Sequence, residues 1–163
     1  MKYLSILLVL CIILCSCSVY TFSGHGIAGI KTISIEPFDN QTAEFGIRDK
    51  LTDELINELL SNRTLTVANQ ASADAILRGK IVSITDLPLT FDENEDVKES
   101  QITIIVEVVL AKPGKSEPLW QGKLVGEGAY PYETGSMEER EEGIDKAVER
   151  LVQDLINRLT SDW

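Results

Sequence analysis

The stretch Lys31-Thr32-Ile33-Ser34-Ile35-Glu36-Pro37-Phe38-Asp39-Asn40, with the residues up to Leu60, decides the fold. Ile33 and Ile35 alternate with Thr32, Ser34 and Glu36, which is the period of a half-buried strand. Pro37 ends that strand, and Asp39-Asn40 begins a turn. From about Glu44 the apolar period changes. Ile47, Leu51, Leu55 and Leu59 fall four apart, and Ile56 and Leu60 widen the stripe. That spacing predicts an amphipathic helix ending near Ser61-Asn62.

Outward from this β-α start, Thr64 to Val67 is a short β-prone run. Residues 73–84 read as a longer strand, and Gly79 in its middle marks a bulge or a close backbone approach. Phe91-Asp92-Glu93-Asn94-Glu95-Asp96 reads as an acidic, solvated loop. Gln101 to Leu110 is a second long strand with Ile102, Ile104, Val106 and Val108 on one face. Lys112-Pro113-Gly114-Lys115 is a turn, and Leu119 to Val125 makes a third strand carrying Trp120. Ser136 followed by Glu139 matches a capping box. A helix then runs to about Thr160 with a stripe of Ile144, Ala147, Val148, Leu151, Val152, Leu155, Ile156 and Leu159. The order β-α-β-β-β-β-α, with short turns that favour hairpins, predicts an α+β two-layer domain. Its sheet is expected to be mostly antiparallel and four- to five-stranded, with two helices packed on one face.

The chain has 163 residues, 44% of them apolar, and a formal net charge of −11. That length suits one domain of about 100–200 residues. The charge excludes nucleic-acid binding, which needs a basic face. The apolar residues are unevenly placed. Lys2 is followed by a nearly all-aliphatic run from Leu4 to Leu14, shorter than the roughly 20 residues of a membrane-spanning helix but the length of a signal-peptide core. Leu14-Cys15-Ser16-Cys17 follows and resembles the lipobox of bacterial lipoproteins. The resemblance implies cleavage before Cys17 and acylation of Cys17 on its thiol and amine. Three acyl chains anchor firmly where one binds only marginally. Residues 1–16 are thus expected to be a signal, 17–30 a lipidated N-terminus and Gly-rich tether, and 31–163 the domain. Ser18 after the Cys leans toward an outer-membrane destination. The mature chain loses Lys2 but no acid, so its net charge becomes −12, and it keeps no cysteine for a disulfide or a metal.

Catalytic constellations are missing from the sequence. His25, the single histidine, falls in the tether, which leaves no Ser–His–acid or Cys–His arrangement. No His/Cys cluster is spaced for zinc. The Asp92–Asp96 run lacks the ligand alternation of a calcium loop. Glu138, Glu139, Glu141 and Glu142 open the last helix, where carboxylates suit the positive dipole end. Gly122, Gly126 and Gly128 form no phosphate loop. The expectation is a non-enzymatic protein with no cofactor.

Three segments resemble the LptE family. Cys17-Ser18-Val19-Tyr20-Thr21-Phe22-Ser23-Gly24 is similar to that family's Cys-Gly-Tyr-x-Phe-x-Gly opening. Lys31 to Thr42 is similar to its strand ending in Phe-x-Asn-x-Thr. Ala73-Asp74-Ala75-Ile76-Leu77-Arg78-Gly79-Lys80-Ile81 is similar to its Ala-Asp-Ala-x-Leu-x-Gly-x-Ile strand. The resemblance implies a periplasm-facing outer-membrane lipoprotein that fills the lumen of an LptD-type β-barrel. It also implies help in assembling that barrel and in inserting lipopolysaccharide into the outer leaflet. Direct contact with lipopolysaccharide calls for cations to meet its phosphates. Arg78, Lys80 and Lys98 are the candidates, although the acidic loop departs from that picture. The β-α-β start with Pro37-Phe38-Asp39-Asn40 also resembles lipoprotein activators of peptidoglycan synthases and lipoprotein subunits of secretion pores, a second reading of the function.

Overall fold

The computed structural model describes residues 29–160. Cys17, the lipobox and most of the tether lie outside the described residues. Eight elements follow in the order β1 (Thr32–Ile35), β2 (Asp39–Asn40), α1 (Ile47–Asn62), β3 (Thr66–Val67), β4 (Ala75–Phe91), β5 (Val97–Ala111), β6 (Pro118–Pro131) and α2 (Met137–Thr160).

The sheet has six strands in the order β3-β1-β4-β5-β6, with β2 pairing β4 beyond β1. It is mostly antiparallel, as expected, through its three long strands, and the short strands at its other edge add a parallel part that makes it mixed. β1 runs parallel to both β3 and β4, and β2 is parallel to β4. The cause is the 16-residue helix between β1 and β3. A strand followed by a helical crossover returns in the same direction, whereas a tight turn returns antiparallel. Only β4-β5-β6 is a true antiparallel meander.

One face of the sheet is covered. Ile33, Leu77, Ile81, Ile102, Ile104, Val106, Val108 and Leu110 point into a single core with the stripes of both helices. α2 lies over β6 and β5, and α1 lies beside it against β2 and β3. In α1 the buried residues include Ile47, Leu51, Leu55 and Leu59, but Leu60 is exposed. One residue beyond Leu59 turns about 100° around the helix, which carries it off the stripe. α1 starts without a side-chain cap at Gly46 (φ 79°) and ends at Arg63 in the left-handed region, whose N–H reaches Leu59 O. α2 starts in the capping box that its sequence predicts: Glu139 N donates to Ser136 Oγ at 3.2 Å, and Ser136 N donates to Glu139 Oε2 at 3.1 Å.

Glycines set how closely the layers meet. A Cβ at Gly79 would fall 2.1 Å from the Phe38 ring, so Gly79 is the place where Phe38 closes the core. The bulge itself lies two residues on, between Ile81 and Ser83. Under α2, a Cβ on Gly128 would fall 1.9 Å from Gly143 O, and one on Gly126 would fall 2.2 Å from Ala147 O.

The strands exceed their sequence reading at one end. β4 and β5 continue as a hairpin through Leu87-Pro88-Leu89-Thr90-Phe91 and Val97-Lys98-Glu99-Ser100. At about 3.3 Å per residue, the 17 residues of β4 span about 50 Å. The acidic turn closes this arm: Asp92 Oδ1 accepts the N–H groups of Asn94 (2.8 Å) and Asp96 (3.0 Å). Those donors hold the Asp92 carboxyl below the usual range. β1 starts level with the start of β4, so the chain comes in at the end opposite this turn.

Candidate docking surfaces

The sheet face away from the helices is open. Its cross-strand rows run Arg78–Val109–Gln121, Lys80–Glu107–Lys123, Ser83–Ile105–Val125 and Thr85–Thr103–Glu127. Arg78 and Lys80 stand two residues apart on this face, so two of the three lipopolysaccharide candidates come together. Arg78 is already engaged. Its Nε donates to Glu36 Oε2 at 2.9 Å and its Nη2 to Glu36 Oε1 at 2.8 Å. That bidentate pair raises the guanidinium pKa, and it is exposed to water. Lys80 has no ion pair among the described residues, and Lys123 lies 3.6 Å from Glu107 beside it. Lys98 is elsewhere, on the hairpin arm, nine residues along β5 from the Lys80 partner Glu107. That places it about 30 Å from the other two.

A second feature occupies the end of the molecule that carries the acidic turn. Arg140, in the first turns of α2, reaches two other segments. Nη1 and Nη2 donate to the two carboxylate oxygens of Glu44 at 3.1 and 2.6 Å, and Nε donates to Asp86 Oδ2 at 3.2 Å. The Tyr130 hydroxyl donates to Asp86 at 2.9 Å. Burial, together with the Asp86 carboxylate, pushes the Tyr130 pKa up. The Glu44 pair raises that of Arg140, against partial burial. Bidentate geometry in half-buried surroundings makes this hub stronger than an ordinary surface pair.

Each arm of the hub carries a bare apolar side chain. Phe45 follows Glu44 and is 100% exposed, Leu87 follows Asp86 at 63%, and Met137 sits one turn before Arg140 at 77%. Leu89, Phe91 and Tyr132 are exposed at the same end. Six of the ten exposed large apolar residues among those described thus lie at this distal rim, which makes it the candidate docking surface. Sequence reasoning missed this rim. An apolar residue in a loop has no period to separate it from a core residue, and the only signal was that Phe45 and Leu87-Pro88-Leu89 belong to no stripe. Of the two tyrosines that flank Pro131, Tyr130 is buried and Tyr132 is exposed.

The edge of β4 next to the rim is free of a neighbouring strand from Val82 onward among the described residues. Glu36 N and Gln41 N bond to Leu77 O and Ile81 O, so the odd residues of β4 face outward there. The bulge at Ile81/Ser83 reverses that parity. Ile84, Asp86 and Pro88 therefore turn their backbone groups to the open edge, and Pro88 has no N–H to offer.

A family model described as "LptE: Lipopolysaccharide-assembly" matches residues 30–159, which is the whole described domain but for its ends. The chain belongs to the LptE family. That family is a non-enzymatic one, and membership puts the chain among lipoproteins of lipopolysaccharide assembly. Curated proteins provide no sequence match. Solved structures share the LptE-like fold. The hypothetical protein CT253 from Chlamydia trachomatis has a TM-score of 0.56 at 12% identity, over 79% of this chain and 95% of that one. A putative lipoprotein from Caulobacter crescentus CB15 gives 0.50 at 13% identity, over 76% and 88%. The PelC dodecamer protein from Paraburkholderia phytofirmans gives 0.54 at 13% identity, over 85% and 96%.

Proposed function

We propose that the mature chain begins at Cys17, is acylated there, and works as an outer-membrane lipoprotein facing the periplasm. In this reading it plugs an LptD-type β-barrel, assists that barrel's assembly, and supports insertion of lipopolysaccharide into the outer leaflet. The family match across residues 30–159 carries the reading. The rim supports it: a rigid body held at one end by its anchor presents Phe45, Leu87, Leu89, Phe91 and Met137 at the other. A plug must be stiff and must bury side chains against its partner, and exposed aromatic and Met side chains are favoured anchors for such contacts. Lipopolysaccharide phosphates, where they touch the plug, meet Arg78 and Lys80 on the open face. Lys98 serves a separate point on the arm.

Affinity purification of the tagged lipoprotein from outer membranes tests the reading. A heat-modifiable barrel of LptD size is expected to co-purify in about equal amount. Recovery of a peptidoglycan synthase or a secretion-pore component in its place overturns it.

A further inference from the structure

Half of the fourteen Lys and Arg side chains of the domain are held in ion pairs. Of the seven with no ion pair among the described residues, four stand at one end. Lys31 precedes β1, Arg63 closes α1, and Lys112 and Lys115 lie in the β5–β6 turn. All four are exposed. The register shows that these loops share an end, because Thr32 pairs with Thr66, Ile33 with Ala75, Ile76 with Ala111 and Ala111 with Pro118. The four cations therefore project beyond the last rungs of the sheet, where the chain comes in from Cys17. The described acids in these loops are Asp74 and Glu117, with Glu58 and Asp154 one to two turns back along α1 and α2, where Asp154 is paired with Arg158. The Asp74 carboxylate is occupied, accepting the N–H groups of Lys31 (3.0 Å) and Thr32 (2.9 Å). At the opposite end stand Asp92, Glu93, Glu95, Asp96, Glu133 and Glu138, where the cations outside the hub are Lys98 and Arg48, the latter paired with Asp49. A strongly acidic protein is thus polarised along its long axis, with its free positive charge beside its anchor.

We propose that, before the chain joins a barrel, this anchor-side end is a foot that rests on anionic phospholipid headgroups and stands the domain upright on the leaflet. The proposal rests on the anchoring part of the function proposed above. It does not depend on the barrel. Twelve peptide units separate Cys17 from Gly29, a reach of at most about 40 Å. A maximum reach of that size does not by itself dictate which side of the domain meets the leaflet. The surface field does. Charge interactions die within about 8–10 Å at physiological salt. Upright, the domain puts its cations inside that layer and its acidic turn about 50 Å outside it. Lying flat, it brings the acids of the arm into the layer as well. A negatively charged leaflet attracts basic residues near an anchor and repels the flat pose.

Lysine footprinting of the anchored protein tests the foot. Residues 17–163 contain Cys17 as their single cysteine. The mature chain can therefore be coupled through Cys17 to a maleimide-bearing lipid, whether or not cells acylate it. Vesicles of phosphatidylcholine alone, and with one third phosphatidylglycerol, would be treated with a membrane-impermeant acylating reagent, and each lysine followed by mass spectrometry. Lys31, Lys112 and Lys115 are expected to react at least about threefold more slowly on phosphatidylglycerol vesicles, a difference that disappears in 0.5 M salt. Lys80, Lys98 and Lys123 are expected to react equally on both. In a Lys112→Glu/Lys115→Glu variant, Lys31 should lose its protection. Equal reactivity of Lys31, Lys112 and Lys115 on the two vesicles overturns the proposal, and so does protection of Lys98 in their place. With no barrel in the vesicles, failure here leaves the plug reading standing, and failed co-purification leaves the foot standing.

Discussion

Gly128→Ala is the substitution that most directly probes how the helix layer sits on the sheet. The new Cβ would start 1.9 Å from Gly143 O and 2.8 Å from Ala147 N, where ordinary contact begins at 3.4 Å. Both opposing atoms are α2 backbone, so no side-chain rotation relieves the clash. The helix must lift by about 1.5 Å, enough to open the interface beneath Ile144, Ala147, Val148 and Leu151 in an interior packed like a crystal. Overpacking of a well-filled core costs about 1–3 kcal/mol, and an immovable backbone puts this case near the upper end. For a domain of this size that lowers the melting temperature by roughly 10 °C. Urea titration followed by circular dichroism would show a lower midpoint with little change in slope. Gly122→Ala is the control, because its Cβ would meet only the Trp120 side chain, 2.7 Å away at the nearest, which can turn aside. If Gly128→Ala lies within about 0.5 kcal/mol of the parent, the close approach of α2 to β6 is wrong.

Four other outcomes are expected. Arg140→Met leaves Glu44 and Asp86 half-buried without their cation. It should cost about 1–3 kcal/mol by denaturant titration, discounted for partial exposure, and should weaken recovery of the barrel more than Arg150→Met does. Cys17→Ala should move the protein from the membrane to the soluble fraction, and retention on membranes would remove the lipidation reading. Arg78→Glu with Lys80→Glu should reduce lipopolysaccharide retention on an affinity column if the open face meets its phosphates. Unchanged retention removes both residues. The pH profile has two sides. The folded-state pKa values of Asp74, Asp92 and Glu139 are held down by backbone and side-chain donors, against some burial at Glu139. Their contribution is present above the unfolded carboxylate range near pH 4 and is lost as pH falls through the lower folded values. The Tyr130 pKa is raised, so its contribution is present below about pH 10 and lost above it. Thermal melts at pH 3, 7 and 11 check both limbs.

Both helices were legible because their stripes repeat over many turns, and Ser136 with Glu139 marked the start of α2 to the residue. The long strands were legible only where they are half-buried. Residues 85–91 of β4 lost the alternating signal, since nothing covers that arm and its side chains need not alternate. Parallel pairing was hidden for a different reason. β2 and β3 have two residues each, too few to show a period, and they form only because the crossover delivers them to a neighbour. Of the candidate site, the cations could be named but not their company. That Arg78 belongs to Glu36 follows from β1 lying parallel to β4, a fact about partners 42 residues apart. The rim was the least legible part, since its side chains come from separate segments that meet through strand pairing and the Arg140 hub.

Pro88 gives the open edge of β4 a consequence of its own. A lipoprotein held on a two-dimensional sheet of membrane meets its own copies far more often than a protein in free solution does. Bare strand edges are templates, and one copy can recruit the next until a fibre has formed. Outward-facing Ile84 and Asp86 would supply such a template, but Pro88 removes the next donor and Asp86 adds a charge beside it. Both features blunt that edge as a template for a second copy.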